Sequence, residues 1–179
     1  MVTSDEQAQL LRLARETLAA HLGGGPKPQP VHLAHPDQHS GAFVTLHVGG
    51  DLRGCIGHPG SRQPLDEVVA ACAIAAATED HRFRSITAGD LPKVTIEISV
   101  LTPMTLVRDV SEIEVGRDGL LMEMGFRKGL LLPQVATEYR WDRDTFLAHA
   151  CMKAGLPQDM WQGGATIYRF QAQVFSEAH

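Results

Sequence analysis

Long apolar runs are missing from this chain, and so is any excess of positive charge. No stretch approaches the roughly 20 consecutive apolar residues that span a bilayer, and the chain begins on acidic residues where a secretory leader is basic. Membrane insertion and secretion are not expected. The 16 lysines and arginines face 21 aspartates and glutamates, a net charge of −5, which leaves no electrostatic footprint for nucleic acid and weighs against it as a partner. Cysteine is scarce as well. The three present, Cys55, Cys72 and Cys151, are odd in number and far apart, which excludes a disulfide framework and points to a reducing compartment, the cytoplasm. No internal repeat and no glycine-rich dinucleotide fingerprint occurs. What remains is one ordinary domain of 179 residues, 44% hydrophobic, long enough to bury roughly 70% of its unfolded surface and to hold a core without disulfides or a structural metal.

Periodicity then orders the chain. Ser4 and Gln7 read as a capping box ahead of Leu10, Leu11, Ala14, Leu18 and Leu22 on one helical face. The glycines and alternating prolines that follow make residues 23–41 an exposed connector. Residues 42–48 alternate, and Gly49-Gly50 predicts a hairpin turn into a strand over 52–56. From Pro64 a helix carries Leu65, Val68, Val69, Cys72 and Ala76 on its apolar stripe. The strand from Val94 places Val94, Ile96, Ile98 and Val100 on one face and Thr95, Glu97, Ser99 and Leu101 on the other. Two short strands, 120–124 and 128–132, join at Gly125-Phe126, and Pro133 opens a short helix. Asp142 caps a helix whose stripe is Phe146, Leu147, Ala150, Cys151 and Ala154, closed by Gly155. One final alternating strand presents Tyr168, Phe170, Ala172 and Val174. Hairpin signals without regular βαβ spacing give a mixed α+β class: an antiparallel sheet flanked by helices.

Chemistry concentrates in Arg53-Gly54-Cys55-Ile56-Gly57-His58. Gly54 and Gly57 leave Cys55 with little side-chain cover and allow a ligand close approach. Arg53 shares a strand face with Cys55 and favours a thiolate; His58 supplies a base or an ion-pair partner. The competing reading makes Cys55 a small buried filler between glycines that permit tight strand packing. His32, His35 and His39 crowd the connector, yet a second half of a zinc site is absent, so no metal is expected. Asp80-His81-Arg82-Phe83 gathers an acid, an imidazole and a guanidinium; Arg82 suits bidentate capture of a carboxylate or phosphate, or else ties the loop to Asp80. Glu97 is a candidate general base, or a solvated edge residue.

These residues resemble the AMMECR-type domain family, whose prokaryotic members are called AmmeMemoRadiSam system protein A. The resemblance is carried by Leu52-Arg53-Gly54-Cys55-Ile56-Gly57, by Arg82-Phe83, by the run from Glu97 to Pro103, by Gly119-Leu120, by the run from Gly129 to Ala136, and by Trp141, Phe146-Leu147, Cys151, the stretch from Lys153 to Leu156, and Trp161. It covers nearly the whole chain after the connector. It implies a single AMMECR-type domain over 1–179, built as two closely packed subdomains with motif residues gathered around a cleft. Arg53, Cys55, Glu97 and Gln134 are the cleft residues it implies here. The family pattern has proline after the aspartate and after the phenylalanine of the Asp80–Phe83 segment; this chain has His81 and Arg84 there, so His81 is no family-wide catalytic residue.

The resemblance implies little about activity, although it associates the family with a radical S-adenosylmethionine protein and a Memo-like protein. The leading expectation is an intracellular enzyme, or a component of one, that handles a small polar substrate. Cys55 and Glu97 are its catalytic candidates, and Arg53, Gly54, Gly57, His58, Arg82 and Gln134 its binding candidates, with no cofactor. A non-catalytic interaction or regulatory module is the alternative, and nucleic-acid binding the third.

Overall fold

The structure is a computed structural model that describes residues 2–35, 41–60 and 62–177. Its elements are α1 (Ser4–Gly23), β1 (Ala42–Val48), β2 (Asp51–His58), α2 (Leu65–Thr78), β3 (Val94–Leu101), β4 (Thr105–Leu106), β5 (Gly119–Met124), β6 (Arg127–Leu131), α3 (Pro133–Glu138), α4 (Arg143–Lys153), β7 (Thr166–Phe170) and β8 (Ala172–Ser176). Short 3-10 turns at Ala88–Lys93 and Val110–Glu112 complete the set. Two units emerge: the residues up to Leu101 together with those from Gln173 onward, and Thr102–Ala172. Among the described residues no helix is long and apolar enough to cross a membrane.

The first unit holds a sheet ordered β2-β1-β3-β8. Gly49 and Gly50, with φ of 60° and 85°, form the hairpin turn between β1 and β2, the positive-φ geometry that matches strand twist. One face of the sheet carries Val44 and Leu46 of β1 and Ile96 and Ile98 of β3. It packs with Leu10, Ala14 and Leu18 of α1 and Val68, Val69, Cys72 and Ala76 of α2 into one buried core, the pattern expected when alternating strands meet a helical stripe. The helix cap differs from the Ser4–Gln7 expectation. Thr3 is the N-cap: its hydroxyl accepts from the Glu6 N–H at 3.2 Å, and the Glu6 carboxylate accepts from the Thr3 N–H at 2.9 Å. Both pairs fit the spacing, and the carboxylate is the stronger acceptor. Glu6 also accepts from the Ala34 N–H, and Arg12 donates to the Pro30 carbonyl. The described part of the connector, up to residue 35, runs back along α1 with most of its residues exposed and Val31 and Leu33 partly buried on the core.

The second unit holds the sheet β4-β7-β5-β6. Its core joins Leu120 and Met122 of β5, Ile167 of β7 and Phe146, Leu147, Ala150 and Cys151 of α4. Asp142 caps α4 through the Thr145 N–H at 2.8 Å. The single final strand divides at Gln171: β7 pairs with β5, while β8 lies beside β3 in the other sheet. The side-chain alternation resets there, so Phe175 is buried and Val174 is exposed. A reciprocal pair at this break, Thr102 N–H to the Gln171 carbonyl and Gln171 N–H to Thr102 Oγ1, both 2.8 Å, satisfies backbone groups that ladder pairing leaves out.

Candidate functional site

Register places Cys55. Thr45 on β1 is the direct cross-strand partner of Cys55 on β2 and of Glu97 on β3. Facing partners in a sheet project on the same side. Cys55, Thr45 and Glu97 therefore form a row across three adjacent strands, on the face opposite the α1 and α2 core. β3 lies between β1 and β8, so Glu97 is a half-buried residue of an inner strand rather than an edge residue. One register step along, Phe43 faces Gly57 and Ser99. Ser99 is 1% exposed, and its hydroxyl has no hydrogen-bond partner among the described residues.

The row has one direct contact at sulfur: Thr45 Oγ1 lies 3.2 Å from Cys55 Sγ and donates to it. Behind Cys55, the turn after α2 reaches the outer strand. Asp80 Oδ2 accepts the Cys55 N–H at 2.9 Å, and Arg82 grips the same carboxylate through Nε at 3.0 Å and Nη2 at 2.7 Å. The Arg82 guanidinium also lies over the Phe83 ring, 5.1 Å from its centroid. Hydrogen bonds from Arg82, then those from the Cys55 and Arg82 backbone, hold the Asp80 carboxyl well below the usual carboxylate range against the cost of burial. Burial pushes the Cys55 thiol up from its ordinary value. The Thr45 hydrogen bond and the Arg82 charge oppose that rise, and Asp80 and Glu97 add to it. At neutral pH the sulfur is a neutral thiol.

The other expected residues are placed by their own elements. Arg53 is the extra residue of a β-bulge, where Leu46 faces Gly54 but His47 faces Leu52; its Nη2 donates to the Arg84 carbonyl at 3.3 Å. Arg82 is thus the arginine whose charge acts on the sulfur. His58 is exposed at the end of β2, three residues from Cys55 and so on the other side of the pleat. Gly54 faces the helix: a Cβ there would run into the Ala76 carbonyl of α2. A Cβ at Gly57 would run into the Ala42 carbonyl and the Phe43 ring. The close approaches these glycines allow are those of a helix backbone, a neighbouring strand carbonyl and an aromatic ring. Gln134 lies in the first turn of α3, in the second unit. A groove of about 320 Å³ in that unit, lined by Leu106, Arg108, Trp161 and Ile167 among others, holds none of the expected site residues.

Cys72 and Cys151 are buried in the two cores, as their helical spacing predicts, and burial pushes Cys72 up to about 11. Among the described residues no group of three or more His, Cys, Asp and Glu side chains is placed to hold a metal ion; His39 lies outside the described residues. Sequence reasoning passed over Thr45, whose signal was a polar residue between Val44 and Leu46 on the face away from the core.

The sequence model of the AMMECR1 family matches residues 11–175. The chain belongs to the AMMECR1 family. That family is one of unknown function. A protein of Methanocaldococcus jannaschii is 43% identical over 99% of this chain and 92% of its own length, and one of Thermofilum pendens is 44% identical over 98% and 92%. In three dimensions the chain is similar to the crystal structure of an uncharacterized protein from Pyrococcus horikoshii, with a TM-score of 0.89 and 38% identity, covering 98% of this chain and 92% of that one. The α+β class with two sheets and flanking helices is shared with that structure. The AMMECR1 match takes in Cys55, Thr45, Asp80, Arg82, Glu97 and Gln134 alike.

Proposed function

We propose that this AMMECR1 protein is a cytoplasmic enzyme, or the substrate-handling component of one, that holds a small polar molecule over Thr45 with Cys55 at one end and Glu97 at the other. The observation that supports this most is the polar row itself. Three chemistry-bearing side chains share one register level on the face away from the helices, and the buried Ser99 hydroxyl, with no hydrogen-bond partner among the described residues, lies one step along. Two strand spacings separate Cys55 from Glu97, roughly 10 Å between backbones. Glu97 therefore serves a substrate group at the far end of the row, as acid or base, rather than taking the thiol proton directly. Cys55 enters as a neutral thiol: its sulfur accepts the Thr45 hydroxyl, and its S–H donates a hydrogen bond to the substrate. The radical S-adenosylmethionine and Memo-like proteins associated with the family are the partners in this reading.

The test is to incubate wild type, Cys55→Ala and Glu97→Gln with a cell extract freed of macromolecules, and to follow compound depletion and the protein's intact mass. Depletion by wild type that is lost in both variants is expected. Equal depletion by Cys55→Ala, or none by wild type, contradicts the reading.

A second reading, a docking module for those same partners, is favoured by Phe126. At 105% exposure it stands at the tip of the β5–β6 hairpin beside the exposed Met124. If docking is the whole function, Phe126→Ser abolishes co-purification with the two partners while Cys55→Ala leaves it intact.

A further inference from the structure

We infer that Asp80 and Arg82 are a positioning pair for Cys55: Asp80 fixes the backbone of the thiol's outer strand, and Arg82 balances the carboxylate's field at the sulfur. The inference rests on the reading of Cys55 as a working thiol. β2 is an outer strand of its sheet, and an outer strand presents N–H groups with no strand to receive them. The Cys55 N–H is received by Asp80, 25 residues further along the chain. A neutral amide would satisfy that N–H equally well; a buried carboxylate requires a cation. Arg82 supplies it through the fork described above and through its own N–H to Oδ1 at 3.2 Å. The Asp80 side chain is 5% exposed and that of Arg82 is 56% exposed. The negative member is thus fixed inside against the strand, and the positive member closes it off from solvent.

The groups acting on the sulfur come from three sides: Thr45 from β1, Glu97 from β3, and Asp80 with Arg82 from the turn after α2; Cys72 of α2 is near enough for Cys55 to act on it. Within the pair the two charges act in opposite senses on the thiolate, Asp80 against it and Arg82 for it. This distinguishes an electrostatic pair from a mechanical clamp. A clamp that merely holds the strand responds alike to loss of either member, because the strand loosens and the thiol becomes more reachable. A charge pair responds with opposite signs.

The experiment uses the full chain with Asp80→Asn, Arg82→Gln and Arg82→Lys. Folding is checked by circular dichroism, the pH dependence of iodoacetamide alkylation is read at the Cys55 peptide, and hydrogen exchange is read at the same peptide. Asp80→Asn is expected to move the alkylation inflection about 1 pH unit lower, raising the rate at neutral pH roughly tenfold, and to speed exchange at Cys55. Arg82→Gln is expected to move it about 1 unit higher, with Arg82→Lys in between. Shifts of the same sign in Asp80→Asn and Arg82→Gln overturn the pair as an electrostatic device. Unchanged exchange with a reactive thiol overturns the positioning and leaves the site reading standing. A thiol inert in every folded variant overturns the site reading and the electrostatic half with it. Should Asp80→Asn fail to fold, the sign of the Arg82→Gln shift decides: upward supports the pair, and unchanged or downward overturns it.

Discussion

Asp80 in the first unit and Asp118 in the second each accept two guanidinium N–H groups from a nearby arginine and one backbone N–H from elsewhere. For Asp118 the donors are Arg117 Nε at 2.9 Å, Arg117 Nη2 at 2.7 Å and the Glu114 N–H at 2.9 Å. These hydrogen-bond donors all lie within four residues, so this fork builds the turn that leads into β5, while Arg169 of β7 adds a longer ion pair at 4.0 Å. For Asp80 one backbone donor is the neighbouring Arg82 and the other is Cys55, 25 residues away, so the same fork fastens a turn to the outer strand of a sheet. Sequence separation decides whether this chemistry makes a turn or ties distant segments together. The glycines repeat the contrast. Gly54 seats β2 against α2, and Gly129 seats β6 against the end of α4; Gly57 lies under Phe43, and Gly119 under Phe170. The two sheets thus share their packing devices, while the row of Cys55, Thr45 and Glu97 belongs to the first.

The packing half of this comparison breaks most severely. Gly54→Ala and Gly129→Ala should each destabilise by about 3 kcal/mol, since the colliding atoms are helix backbone and cannot step aside. Urea unfolding measures both, and a loss below about 1 kcal/mol at either site denies that glycine its packing role. Asp80→Ala should cost about 2 kcal/mol, below the full value of a buried pair because Arg82 is half in solvent. Asp118→Ala should destabilise too, but only Asp80→Ala should alter alkylation and hydrogen exchange at Cys55. An equal response of Cys55 to Asp118→Ala would erase the distinction between turn and site.

Acid sharpens the same point. The Asp80 carboxyl is held below its unfolded value of about 3.9. Its contribution is therefore complete above that value and is lost as pH falls toward the folded one. Stability measured by thermal melts should decline below about pH 4, and Asp80→Asn should show a shallower decline. The smallest effect is expected at Thr45. Thr45→Val removes the donor to Cys55 Sγ and should move the alkylation inflection upward by a few tenths of a pH unit with under about 1 kcal/mol of stability lost. A downward movement would mean that the hydroxyl does not favour the thiolate.

Much of the fold was legible because one periodicity ruled each segment. β1 and β3 fall on the alternating runs, α4 begins at its Asp142 cap, and Cys72 and Cys151 sit on the helical stripes that predicted their burial. The reading failed where tertiary pairing overrides a local pattern. Tyr168, Phe170, Ala172 and Val174 alternate without interruption, yet the chain changes sheets at Gln171, and nothing in that alternation marks the exchange of partners. The candidate site was legible only as a motif. Cys55 and Glu97 stand out by type, but their alignment through Thr45 is a matter of register, and register depends on the bulge at Arg53. The bulge also leaves Arg53 bonded to the Arg84 carbonyl, and Arg82, 27 positions beyond Cys55, became the cation that acts on the sulfur.

The central claim is that Cys55 differs from the other two cysteines in being a reachable thiol on a polar face. Alkylation of the native protein by iodoacetamide across a pH series, quantified at each cysteine by peptide mass spectrometry, tests it most directly. Modification of Cys55 with an inflection above the ordinary thiol value, with Cys72 and Cys151 modified only after denaturation, is the predicted result. Protection of Cys55 equal to that of Cys72 and Cys151 until the protein unfolds would contradict it.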